Sequence, residues 1–164
     1  MAQIEKSSAK INEDIFNEDF TSDRINRDHW NVRVTGEIYN NEQQAYVDSL
    51  ETVYTEPGSL DEANGVLVLQ PKIEPNFITK EGNTFDFISG RIDTRGKVEF
   101  IQGKLSARIK MSSGSGLWPA FWLIGQGKWP GCGEIDIMEF VGEGGLNQFG
   151  CAWFGTCWRC SIGQ

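Results

Sequence analysis

The sequence predicts an all-β protein, an antiparallel sandwich or barrel. Short apolar runs recur between turn-forming residues, as in Val66-Leu67-Val68-Leu69. Lys104 to Met111 alternates, with Leu105, Ala107, Ile109 and Met111 on one side and Ser106, Arg108 and Lys110 on the other. No long helical period appears, and 19 glycines against 5 prolines suit a turn-rich β-chain.

The elements follow in order. Residues 1 to 13 are polar and mixed in charge and read as a flexible leader, which leaves 14–164 as one domain. Ile15 to Phe20 reads as a first strand and Trp30 to Val34 as a second, with a turn at Asn40-Asn41. Gln44 to Val47, Val53 to Thr55 and Val66 to Leu69 read as short strands, with a loop over Pro57 to Asn64. Glu74 to Asn83 carries Pro and Gly and reads as a loop, and Phe85 to Ile92 as strand leading to a turn at Thr94-Arg95-Gly96. After the strand at 104–111 come a turn over Ser112 to Gly116, a strand over Leu117 to Ile124 and a loop over Gly125 to Gly131.

The most informative stretch is the last strand, Glu134-Ile135-Asp136-Ile137-Met138-Glu139-Phe140, bounded by Gly133 and Gly142. Acidic side chains seldom occupy an apolar strand unless a site requires them. Alternation puts Glu134 and Asp136 on one face and Glu139 on the other. A β-bulge at Ile137 or Met138 returns Glu139 to the first face, and the spacing predicts one. Crowding three carboxylates raises at least one pKa. A protonated carboxyl beside an ionised one is the pair that glycoside cleavage uses. A solvated acidic edge and a metal site built from the same oxygens are the alternatives.

Composition bounds the partners. The 164 residues suffice for one domain with a core. With 15 basic and 23 acidic residues the net charge is −8, which argues against nucleic acid and anionic membrane. Six tryptophans are many, and Trp stacks on flat apolar ligand faces. Cys132, Cys151, Cys157 and Cys160 allow three disulfide pairings. Zinc at Cys157 and Cys160 is not expected, because no second such pair exists and the single histidine, His29, is distant. The first ten residues lack the apolar core of a signal peptide, and no stretch is long and apolar enough to span a membrane.

Gly116-Leu117-Trp118-Pro119-Ala120-Phe121-Trp122, then Trp129-Pro130, then Glu134-Ile135-Asp136-Ile137-Met138-Glu139 resembles glycoside hydrolase family 16, in particular its laminarinase-like endo-β-1,3-glucanases. Asn40-Asn41-Glu42, Ser89 to Thr94 and Gly103 to Arg108 agree in order, and the resemblance runs from about Phe16 to Gly142. It implies a β-jelly-roll of two antiparallel sheets with a concave substrate cleft, and retaining hydrolysis of β-1,3 or mixed β-1,3/1,4 glucan. It implies Glu134 as nucleophile, Glu139 as general acid and base, and Asp136 between them. Trp118 and Trp122 resemble sugar-stacking residues, and Arg91 and Asn41 resemble residues that bond sugar hydroxyls.

The outer two glutamates stand about four strand steps apart, roughly 13 Å at ~3.3 Å per step. Their side chains must lean together to reach the ~5–5.5 Å of a retaining pair. No cofactor is required under this resemblance. Glu18 matches a position that joins a structural calcium site in many relatives, without identifiable partners here. The resemblance further implies a β-glucan polysaccharide as partner, a monomer, and an extracellular setting. Agarose or carrageenan hydrolysis, transfer to a second sugar, and an inactive glucan-binding relic are the competing readings.

After Gly145 the resemblance stops. Relatives continue with a histidine-bearing strand and several more, whereas Asn147 to Gln164 is rich in Cys and Trp. The sequence therefore predicts a truncation or frameshift near Gly145 and a jelly-roll incomplete at its C-terminus. A C-terminal hairpin stapled by disulfides is the alternative.

Overall fold

The computed structural model describes residues 16–58, 64–112 and 114–140. The chain divides into two compact units, Met1–Gly103 and Lys104–Gln164. Every regular element among the described residues is a β-strand, the class that the alternation predicts.

In the first unit, β1 (Asn31–Val32), β2 (Gln44–Tyr46), β3 (Val53–Glu56), β4 (Val66–Leu69), β5 (Lys72–Ile78), β6 (Thr84–Ser89) and β7 (Ile92–Asp93) form three small sheets. β1 pairs with β7 and β3 with β4, both antiparallel. The third sheet has the order β2-β6-β5. Here β2 runs parallel to β6, with Ala45 opposite Ile88, an exception to the antiparallel expectation. The β3–β4 hairpin and β5 lie between them in sequence and supply the long connection that a parallel pair needs. Ala45, Val53, Phe85 and Ile88 are buried and form the core with Ile25.

Two strands differ from the sequence reading in this unit. β5 occupies part of the expected loop over 74–83. Pro75 lacks an amide donor, yet β5 is the edge of its sheet, and the ladder shifts register between Ile73 and Phe77. Asn76 takes a left-handed φ of 61° at that shift, and its amide donates to Asp86 Oδ1 at 3.2 Å. Residues 16–20, expected as strand, join no ladder. Their backbone lies against Gly65, whose amide donates to the Asp19 carbonyl at 2.8 Å. Ile15 and the leader lie outside the described residues.

In the second unit, β8 (Ala120–Ile124) and β9 (Glu134–Glu139) form an antiparallel pair. The expected strand over 104–111 belongs to no ladder among the described residues. Alternation predicts which side chains share a face, but a strand forms only where a neighbour offers hydrogen bonds. Three of the four expected apolar side chains still share one hollow. Ala107, Ile109 and Met111, with Ser106, line a hollow of about 350 Å³ with Phe121, Ile137 and Met138.

Gly90 shows how close the strands approach in the first unit. A Cβ there would stand 2.4 Å from the Thr52 carbonyl oxygen and 2.6 Å from a Val53 methyl. Gly90→Ala is expected to lower stability by about 1–3 kcal/mol in urea unfolding, the usual cost of overpacking. An unchanged midpoint would contradict this packing.

Candidate active site

The β8–β9 hairpin places the carboxylates. Its loop closes through Gly125 N–H to the Gly133 carbonyl at 3.0 Å, with Cys132 N–H to Lys128 at 3.1 Å and Gly133 N–H to Pro130 at 3.1 Å. A Cβ on Gly125 would stand 2.0 Å from the Cys132 carbonyl oxygen, so only glycine permits this closure.

The ladder runs Ile124 to Glu134, Leu123 to Ile135 and Trp122 to Asp136, then Phe121 to Met138 and Ala120 to Glu139. Ile137 is the extra residue, a β-bulge at one of the two positions the spacing predicts. Residues opposite one another share a face. Glu134, Asp136 and Glu139 therefore lie on one side, with Ile124, Trp122 and Ala120. Met138 and Ile135 lie on the other, and Met138 is buried.

Two indoles address the outer carboxylates. Trp118 Nε1 donates to Glu139 Oε1 at 2.8 Å, and Trp129 Nε1 donates to Glu134 Oε2 at 2.6 Å. Phe140 N–H bonds the Pro119 carbonyl at 3.1 Å, extending the ladder by one step and setting Trp118 beside Glu139. Both indoles keep much of their surface in water, 42% for Trp118 and 55% for Trp129. Trp122 is half-buried and sits opposite Asp136.

Asp136 is the carboxyl whose proton affinity rises, to a pKa of about 6. Burial contributes most, and the charges of Glu134 and Glu139 add to it. The sequence reading gave crowding as the reason, and the structure ranks desolvation above it. None of the three carboxylates forms a salt bridge among the described residues.

Asn41 and Arg91 belong to the first unit. Asn41 is exposed in a turn where Asn40 and Asn41 have φ values of 50° and 59°. Its carbonyl accepts from Gln43 Nε2 at 2.7 Å. Arg91 holds its guanidinium 5.7 Å above the centre of the Tyr46 ring, a cation–π contact. The Tyr46 hydroxyl in turn donates to Glu42 Oε1 at 3.1 Å.

Glu18 is held by protein donors. Its oxygens accept from Phe20 N–H and Trp30 Nε1, each at 3.2 Å, and His29 Nδ1 lies 3.2 Å away. Donors already face both oxygens. Among the described residues no group of three or more His, Cys, Asp and Glu side chains could hold a metal ion. Cys132 forms no disulfide with a described residue, and Cys151, Cys157 and Cys160 lie outside the described residues with the rest of the tail.

Trp129 was not among the residues singled out from sequence for the site. It was visible only as the Trp-Pro landmark. The available signal was an aromatic residue in a Gly-rich hairpin loop, five positions before Glu134.

A family profile described as "XgeA-like, catalytic GH16 domain" matches residues 97–157. A beta-glucanase of Rhodothermus marinus is 34% identical over 119 residues, 69% of this chain and 38% of the relative. The glucan endo-1,3-beta-glucosidase A1 of Niallia circulans is 28% identical over 159 residues, 88% of this chain and 22% of the relative. The catalytic domain of an endo-1,3-beta-glucanase (laminarinase) from Thermotoga petrophila superposes with a TM-score of 0.64 at 34% identity, covering 76% of this chain and 50% of that one. The chain thus spans half or less of each of these proteins. The likeness to this laminarinase fixes the fold class as the β-jelly-roll expected from the motifs.

The raised pKa of Asp136 sets a pH dependence. Between its ordinary value of 3.8 and about 6, the folded chain keeps a proton that the unfolded chain has released. The folded state binds more protons there, so this group's contribution to stability falls as pH rises through the window and levels off above it. Urea midpoints across that window are expected to fall less steeply in Asp136→Asn. Parallel wild-type and variant curves would contradict the assignment.

Proposed function

The chain belongs to glycoside hydrolase family 16, and from that premise we propose that it is an endo-acting O-glycosyl hydrolase cleaving β-1,3 or mixed β-1,3/1,4 glucan with retention. The observation that carries this reading is the bulge at Ile137, which sets Glu134, Asp136 and Glu139 on one face of β9. The names of the relatives, a beta-glucanase, a glucan endo-1,3-beta-glucosidase and a laminarinase, support the substrate class.

The roles are those that the resemblance to family 16 implies. Glu134 attacks the anomeric carbon and forms a glycosyl-enzyme ester. Glu139 gives its proton to the departing glycosidic oxygen, then takes one from the water that hydrolyses the ester. Asp136 stands between them and remains largely protonated up to about pH 6, which limits the charge crowded into the site. Trp118 and Trp122 offer aromatic surface to sugar rings, since a pyranose presents a flat face of C–H groups. Asn41 and Arg91 bond sugar hydroxyls in this reading. No cofactor enters any step, and the chain acts as a monomer outside the cell on a polysaccharide. Among the described residues no helix is long and apolar enough to cross a membrane.

Reducing-sugar release from laminarin tests the reading, with agarose as the counter-substrate. The chain is expected to release product from laminarin and none from agarose. Glu134→Gln is expected to abolish release, and Glu139→Gln to slow it by about 10²–10⁴-fold. Full activity in Glu134→Gln would overturn the assignment of the nucleophile. Binding without product release by the folded chain would favour a glucan-binding protein.

A second variant addresses the bulge itself. Deleting Ile137, the extra residue, restores strict alternation and keeps Glu139 opposite Ala120, on the face of Glu134 and Asp136. The shortened strand is expected to keep product release that still depends on Glu139, falling again when Glu139→Gln is added. Release that no longer depends on Glu139 in the shortened strand would contradict this register.

A further inference from the structure

We propose that Trp129 is a positioning residue for Glu134, its indole N–H holding one carboxylate oxygen so that the other is presented to the anomeric carbon. This rests on the hydrolase reading above and deepens it.

Trp129 Nε1 lies 2.6 Å from Glu134 Oε2, a short, charge-assisted contact. An indole carries a single N–H and no acceptor, so it can cap one oxygen and no more. The backbone prepares this contact. Trp129 sits in the loop that Gly125 and Gly133 close, held by the Lys128 and Pro130 carbonyls within the same turn. Its ring is 55% exposed, so packing in a core does not account for an aromatic residue here. Glu134 opens β9, and a fixed donor on one oxygen limits how far the carboxylate can turn its attacking oxygen away.

Trp118 makes the equivalent contact with Glu139. A substrate whose leaving group needs no protonation isolates the Glu134 step from Glu139. In a 2-deoxy-2-fluoro-β-laminaribiosyl fluoride, a Glu134 oxygen forms a bond to C1, the C1–F bond breaks with its electron pair, and fluoride departs. The ester is then hydrolysed slowly, because the 2-fluoro group destabilises the cationic transition state.

The experiment follows Glu134 labelling by mass spectrometry in the wild-type chain, Trp129→Phe and Trp30→Phe. Phe keeps the ring and loses the N–H. In Trp129→Phe the maximal labelling rate is expected to fall about 10–100-fold, the worth of one hydrogen bond to a charged group, while the half-saturating concentration stays within about 3-fold. In Trp30→Phe, which loses an indole N–H to Glu18 instead, the labelling rate is expected to hold. An unchanged labelling rate in Trp129→Phe overturns the proposal, as does weaker saturation at an unchanged rate, which would leave Trp129 a sugar-binding surface. A wild-type chain that takes no label overturns the hydrolase reading, and the proposal with it. Should Trp129→Phe fail to fold, the assigned Trp129 indole N–H resonance decides in the 15N-labelled wild-type chain. It is expected to move upfield in Glu134→Ala, and a resonance that stays in place overturns the contact.

Discussion

One inserted residue governs the site. Were Ile137 paired in a regular strand, the side chains of β9 would alternate strictly, and Glu139 would face the apolar hollow that Met111 and Phe121 line. A carboxylate there would lack partners and would pay a large desolvation penalty. The bulge removes that conflict and leaves Met138 and Phe140 buried, as apolar residues should be. The same half-period shift thus satisfies the core on one side and assembles the carboxylates on the other. Packing and chemistry depend on one backbone irregularity.

The consequence is a concentration of negative charge with no salt bridge to neutralise it among the described residues. Three responses are visible. Asp136, flanked on the face by the two glutamates and partly withdrawn from water, keeps its proton into the mildly acidic range. Glu134 and Glu139 each receive an indole N–H. Each outer carboxylate therefore has a fixed donor, and the central one sheds charge by protonation. The symmetry is local, one tryptophan from the loop after β8 and one from the segment before it.

Sequence legibility followed the physics of each element. The bulge was readable because alternation is strict and the three acids broke it at a definable place. β4 was readable to the residue, since four apolar side chains bounded by turn signals have few alternatives. The 104–111 segment was misread, because period two fixes the face of a side chain and says nothing of a ladder partner. β5 was hidden by Pro75, which forbids a central strand yet is tolerated at an edge with a register shift. The contact of Trp129 with Glu134 was beyond reach, since a loop residue's aim depends on closure by Gly125 and Gly133. What sequence reports well is periodicity, and what it reports poorly is the direction in which an irregular segment points.

The type of donor on Glu134 also constrains the chemistry. An arginine or lysine in place of Trp129 would orient the oxygen equally well, and would add a full positive charge beside it. Such an ion pair stabilises the carboxylate in the ground state, and much of that stabilisation is lost as its charge passes to the glycosyl ester. A neutral N–H gives direction with a smaller penalty of this kind. It also leaves the second oxygen without a competing donor, where a guanidinium fork would engage both. The site therefore combines a strongly acidic face with neutral donors. That combination suits a nucleophile facing a sugar carbon that becomes cationic in the transition state.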